Sequence, residues 1–175
     1  MPIYALHDKE PDIDESALVH PDAVIIGKVS IGAQASIWPM AVLRGDHGPI
    51  TIGARTSIQD GTVVHSTPRS PTVIGSDCVV GHNAHLEGAV IADRCLIGSA
   101  STCLNHVNIG TRSLVAAGAL VTPNTVAPAG SRLIGSPARV TPHPKPEEFE
   151  AYLDYAVNSY VNDVGNYRAG LRRLS

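Results

Sequence analysis

The sequence predicts a mainly β protein, a parallel β-helix of hexapeptide repeats with one C-terminal α-helix. Three observations carry this expectation. An Ile/Val-Gly pair recurs at Ile31-Gly32, Ile52-Gly53, Ile74-Gly75, Val80-Gly81, Ile97-Gly98 and Ile109-Gly110. Around these pairs an apolar residue returns at almost every sixth position, as in Ile25, Ile31, Ile37, Leu43 and in Ile91, Ile97, Cys103, Ile109, Val115, Val121. A period of six is neither helical nor simple strand alternation. Units this short bury an apolar side only by stacking on their neighbours. Finally, the chain is 43% hydrophobic but only 4% aromatic, which suits a narrow core of aliphatic and small side chains.

The elements follow from the period. Three hexads make one triangular coil. Face one carries Ile31, Ile52, Ile74, Ile91 and Ile109; face two carries Ile37, Ile58, Val80, Ile97 and Val115. Face three carries Ile25, Leu43, Val64, Leu86, Cys103 and Val121. The alternate inward slots hold small or β-branched residues, among them Ala35, Ala41, Thr56, Thr62, Cys78, Ala84, Cys95 and Ser101. His47-Gly48-Pro49 is a short insert, Ser66 to Thr72 a corner loop with two prolines, and the hexad at Leu86 is one residue short. The residue after each inward aliphatic points outward. On face three this gives the column Ile26, Arg44, His65, Glu87, Leu104, Thr122; on face two it gives Trp38, Gln59, Gly81, Gly98, Ala116. Outward Ile26, Leu104 and Trp38 imply covered surfaces.

Residues 1–141 are thus expected to form the β-helix with a short lead-in, and 142–175 a linker and helix within one overall domain. Pro142, Pro144 and Pro146 stiffen the linker. Phe149, Tyr152, Leu153, Ala156, Val157, Tyr160, Val161 and Val164 then follow helical spacing. One such helix of about 20 residues is marginal alone. It must pack along the β-helix or a neighbouring subunit.

The formal charge of −3 gives no reason to expect nucleic acid or an anionic membrane as a partner. No run is apolar enough to span a bilayer, and the first residues lack a signal-peptide pattern. Cys78, Cys95 and Cys103 fall in inward slots and read as reduced core residues, consistent with a cytoplasmic protein.

One constellation carries chemistry. His65 and Glu87 are expected one coil apart on face three, roughly 4.8 Å between strands. Side chains at that spacing can share one metal ion, and zinc accepts imidazole nitrogen and carboxylate oxygen. The third candidate ligand, His82, lies around the corner on face two. It closes on the pair most easily from an adjacent subunit. Glu87 pairing with Arg44 or His65 without metal is the alternative.

Leu43-Arg44-Gly45-Asp46, Ile58-Gln59-Asp60-Gly61, His65 and Gly81-His82 together resemble the gamma-class carbonic anhydrases and their relatives. So do the hexapeptide coils, Gly135-Ser136-Pro137-Ala138 and the final helix, so that the resemblance covers nearly the whole chain. It implies a left-handed parallel β-helix, a homotrimer, and a zinc ion, or iron or cobalt, at each subunit interface. By resemblance His65 and His82 match two metal ligands, Arg44 and Asp46 an interface ion pair, and Gln59 the residue that hydrogen-bonds the hydroxide at the metal. Asp60 and Trp38 read as structural or interface residues.

The chain departs from the family at the third ligand. The family has a His five residues after the second ligand, where this chain has Glu87, with His85 two residues earlier. A carboxylate adds negative charge and lowers the Lewis acidity of the metal. The loop Ser66 to Thr72 also contains no Glu to serve as an acidic proton shuttle. His85 reads as a solvated or interface residue. The resulting expectation is weak or lost hydration of CO2, with Gln59 and Glu87 as catalytic residues and CO2 or bicarbonate as the small-molecule partner. Two other readings stand beside it: a hexapeptide acyltransferase or acyl-CoA thioesterase, and a non-catalytic trimeric scaffold or small-molecule binder.

Overall fold

Like residues stack on like, and this stacking builds the molecule. The computed structural model describes residues 2–174. They form a parallel β-solenoid of about seven turns with one C-terminal helix. Ile25 pairs with Leu43, Leu43 with Val64, Val64 with Leu86, and Leu86 with Cys103 in register. Face two runs Val19, Ile37, Ile58, Val80, Ile97, Val115, Leu133 in the same way. Strands Val24–Ile31 and Val42–Ile52 turn a corner without a break, joining faces one and three into one 12-stranded sheet.

The core is a column of fully buried aliphatics, including Ile25, Ile37, Leu43, Ile58, Ile74, Leu86, Ile97 and Ile109. The small slots alternate with them: Ala35, Ala41, Thr56, Thr62, Cys78, Ala84 and Cys95 are buried too. Two of the corners are made by a left-handed residue three positions after the inward aliphatic. Gln34, Arg55, Asp77, Arg94 and Arg112 form one such column; Met40, Gly61, Asn83, Ala100 and Gly118 form the next. Most are not glycine, so the stacked hydrogen bonds of the coil hold a backbone region that L-residues otherwise avoid.

Two features differ from the sequence reading. Residues before the linker form a hairpin: Ser131–Gly135 pairs antiparallel with Ala138–Pro142 and caps the last coil. Pro142 therefore ends a strand instead of opening the linker. The helix α1, Pro146–Gly170, is 25 residues long. Pro146 opens it, with Glu147 and Glu148 in the first turn and Arg168 in the last, each favourable to the helix dipole.

Helix α1 lies along face two of its own chain. Phe149, Leu153 and Val157 pack on Val79, Leu96 and Leu114, and Val164 packs with Leu18 and Trp38. Trp38 is thus covered by its own chain: its ring meets Tyr160 at 5.9 Å and Tyr167 at 4.9 Å, edge to face. Its indole N–H lies 3.0 Å from the Ser36 hydroxyl and 2.9 Å from the Ser57 hydroxyl. Flanking polar contacts fix the helix lengthwise. Arg94 pairs with Asp154 at 2.9 Å, Arg55 donates to Asn158 at 2.9 Å, and Arg168 donates to the carbonyl of Ala17 at 2.7 Å. Among the described residues no helix is long and apolar enough to cross a membrane.

Candidate metal centre

The outward column of face three is real. Arg44 stands in register beside Ile26, His65 beside Arg44, and Glu87 beside His65. Alternation along each strand produces this: Leu43, Val64 and Leu86 are fully buried, so the next residue faces out. His65 is held between two carboxylates. Its Nε2 lies 3.0 Å from Asp46 Oδ1, and its Nδ1 lies 3.8 Å from Glu87 Oε2.

Asp46 also receives the Arg44 guanidinium and the backbone N–H of His47. Burial would raise its pKa; the hydrogen bond from His65 and the Arg44 contact outweigh this and hold the carboxyl at about 2. Asp46, His47 and His65 bring donor atoms within 4.8 Å of one another. The Arg44 cation already seated on Asp46 makes that corner an ion-pair network.

Glu87 is fixed from the other side by Asn105, whose Nδ2 is 3.5 Å from Oε1. Asn105 Oδ1 is buried without a hydrogen-bond partner among the described residues. Gly88 makes this close approach possible. A Cβ there would stand 2.4 Å from Asn105 Oδ1 and 2.6 Å from Ser70 Cβ, and its φ is +61°. His85, expected in a corner, lies instead in the strand His85–Glu87, with Nε2 3.5 Å from Glu87 Oε2.

His82 is elsewhere. It lies in the corner after Val80-Gly81, and its Nδ1 meets Asp60 Oδ2 at 3.0 Å. Asp60 thus orients His82. The chain brings His65, His85, Glu87 and Asn105 together on one face and leaves His82 and Asp60 on another. Gln59 is buried beside His82 and donates from Nε2 to the Tyr160 hydroxyl at 2.6 Å. A crevice of about 250 Å³ runs here between face two and helix α1, lined by Gln59, Gly81, His82, Ser99, Tyr152 and Tyr160. Burial raises the Tyr160 phenol, which stays protonated and available as a hydrogen-bond partner.

Two of these residues, Tyr160 and Asn105, were not singled out as site residues from the sequence, and His85 was not joined to Glu87. Tyr160 read only as part of the apolar stripe of the helix. Asn105 has no motif around it. The His-x-Glu spacing of His85 and Glu87, which places both outward on one strand, was the signal that could have joined them.

A family model described as the hexapeptide repeat of succinyl-transferase matches residues 88–123. Gamma carbonic anhydrase 1, mitochondrial, of Arabidopsis thaliana is 39% identical over 161 residues, which cover 89% of this chain and 58% of that protein. The chain thus spans just under three fifths of that relative. Carnitine operon protein CaiE of Escherichia coli is 34% identical over 98% of this chain and 87% of its own length. Among solved structures, a hexapeptide transferase family protein from Anaplasma phagocytophilum superposes with a TM-score of 0.90 at 32% identity, covering 95% of this chain and 98% of that one.

Proposed function

The chain belongs to the gamma-carbonic-anhydrase-like family of hexapeptide-repeat proteins, and on that premise we propose that it is a trimeric metalloprotein with weak CO2-hydrating capacity. One observation carries the reading. His65 and Glu87 present facing donor atoms 3.8 Å apart on adjacent strands, while His82 sits on another face with Asp60 as its orienting partner. A threefold assembly gives that split arrangement a purpose, because it sets His82 of the partner subunit against the His65–Glu87 column. Ile26 and Leu104, outward and half-buried above and below, suit the same contact.

The donor set fits a divalent ion: imidazole nitrogen and carboxylate oxygen are ordinary zinc ligands, and iron or cobalt accepts the same set. The Asn105 contact aims Glu87 Oε2 at His65, as an outer partner aims a ligand. An ion held there supplies Lewis acidity and a water of lowered pKa. Glu87 works against this, since it adds a negative charge where the family carries a neutral imidazole. Gln59 has a positioning role. One of its amide N–H groups is committed to Tyr160, which leaves the second N–H and the carbonyl oxygen to hydrogen-bond a polar ligand.

The acyl-transfer reading draws support from the transferase-family structure of similar shape. The protein itself favours it less. The excursion Ser66 to Thr72 is closed by a Thr67–Ser70 bridge and forms no long arm. The crevice of about 250 Å³ is small beside typical drug-sized ligand sites.

The deciding experiment is elemental analysis of the purified protein with sedimentation. The expected result is a trimer carrying about one divalent ion per subunit, lost in both His65→Ala and His82→Ala. Retention of metal in both variants refutes this function. Turnover of CoA thioesters by protein without metal would favour acyl transfer.

A further inference from the structure

We propose that Asp46 is a positioning residue of the metal centre: it accepts the hydrogen bond of His65 Nε2 and so makes Nδ1 the atom that binds the ion. The inference rests on the reading of His65, Glu87 and His82 as ligands and names the atom through which each histidine acts.

Arg44 and Asp46 project from the same side of the strand Val42–Ile52, because strand side chains alternate about Gly45. Gly45 has no room for a side chain: a Cβ there would stand 2.5 Å from the Lys28 carbonyl oxygen. Arg44 is in register with His65, so Asp46 lies just beyond the imidazole. Its Oδ1 meets His65 Nε2 at 3.0 Å. The same oxygen accepts from the His47 backbone N–H at 2.9 Å, and Oδ2 receives the Arg44 guanidinium. One carboxylate thus bridges Arg44 to the ligand imidazole.

A carboxylate paired with a guanidinium only accepts, so the N–H of neutral His65 sits on Nε2 and the lone pair on Nδ1. Nδ1 is the nitrogen that faces Glu87 Oε2, at 3.8 Å. His82 is pinned the opposite way. Its Nδ1 meets Asp60 Oδ2 at 3.0 Å, which leaves Nε2 for an ion. Each histidine therefore spends one nitrogen on a carboxylate and keeps the other open. Such a bond fixes the ring and raises the basicity of the ligating nitrogen. The Asp46 side chain is 18% exposed against 49% for Asp60, so Asp46 holds its imidazole more firmly.

The other place for an ion is the corner of Asp46, His47 and His65, whose donor atoms lie within 4.8 Å of one another. Two features speak against it. Three of the roughly four lone-pair sites of the carboxylate are taken, by His65, the His47 N–H and Arg44. Lys9 Nζ also donates to the Asp46 carbonyl oxygen, so two cations would face a divalent ion. The corner therefore orients a ligand and leaves the ion to the other side of the ring.

The test uses full-length protein with isotopically labelled histidine, loaded with spin-active cadmium in place of zinc. Cadmium–nitrogen coupling in the NMR spectrum names the ring nitrogen on the ion, and competition with a chromogenic chelator gives zinc affinity. The expected result is coupling to Nδ1 of His65, with an exchange-protected N–H on its Nε2. Zinc affinity should be at least tenfold lower in Asp46→Ala and unchanged in His47→Ala. Asp46→Asn, which keeps the shape but offers a neutral acceptor, should fall between. Cadmium on Nε2 of His65, or loss of affinity in His47→Ala, puts the ion in the corner and overturns the proposal, as does full affinity in Asp46→Ala. The coupling is read in the natural protein, so it decides the matter even where a variant fails to fold. If His65→Ala keeps its zinc, the underlying metal site fails as well.

Discussion

At the scale of single residues, the proposed chemistry turns on Glu87. Its carboxylate is positioned by Asn105 and lies against two imidazoles. Replacing it with histidine removes one negative charge from the donor set while keeping a ligand of similar reach. Each unit by which the pKa of the activated water falls gives about tenfold more of its deprotonated form near pH 7. Glu87→His should therefore raise CO2 hydration by on the order of tenfold at matched zinc occupancy. Stopped-flow hydration across pH 6–9 checks this, and a slower variant would make Glu87 a tuned ligand instead of a handicap. The cysteines give a second prediction. Burial pushes the Cys103 thiol up to about 12; the hydrogen bond between Cys78 and Cys95 raises the former and lowers the latter, but both are fully buried, so access limits their reaction. Native protein at pH 8 should resist an aromatic disulfide reagent, and all three thiols should react in denaturant. A rapidly reacting native thiol would contradict the closed core.

At the scale of elements, helix α1 joins fold to site. Its apolar stripe covers face two, and its Tyr160 reaches Gln59. Leu153 is 1% exposed between helix and solenoid. Leu153→Ala should cost about 2–4 kcal/mol by its lost transfer energy and the cavity left, measured by urea unfolding. Tyr160→Phe is gentler. It removes only the hydroxyl that accepts from Gln59, at a cost of about 1 kcal/mol. Metal content should be unchanged, with turnover reduced if Gln59 positions the reacting molecule. A drop in bound metal instead would show that the helix supports the ligands themselves.

At the scale of the whole molecule, a solenoid separates stability from function. Each coil contacts its neighbours alone, so the fold is a sum of coil and interface terms. The face-three column adds an outward stack of polar groups to that sum. Within one chain, Asp46 pairs with the Arg44 guanidinium and with His65 at the side of that stack. Trimerisation would then add His82 of the partner subunit and a shared ion. Since binding to the assembled form alone stabilises it by mass action, removing metal with a chelator should lower the melting temperature and weaken the trimer together. Scanning calorimetry with sedimentation checks this. An unchanged trimer and melting temperature after complete metal removal would separate the ion from assembly.

The hexad period by itself determined the solenoid, because Ile25, Leu43, Val64 and Leu86 have one way to be buried together. It also determined the column Arg44, His65, Glu87, since a residue next to a buried one on a strand must face out. Those relations are local or strictly periodic, so they can be read without coordinates. Other contacts depend on where non-periodic parts come to rest. The course of α1 along its own face two, and hence the cover over Trp38 and the Tyr160–Gln59 bond, follows from surface complementarity between residues about a hundred positions apart. The hairpin Ser131–Gly135 with Ala138–Pro142 lies beyond the last hexad, where the repeat has no further say. The convergence of His85 on Glu87 was set by rotamers and by Asn105 from the next coil. The period gives each side chain a face and a height, and only tertiary packing decides which way it leans.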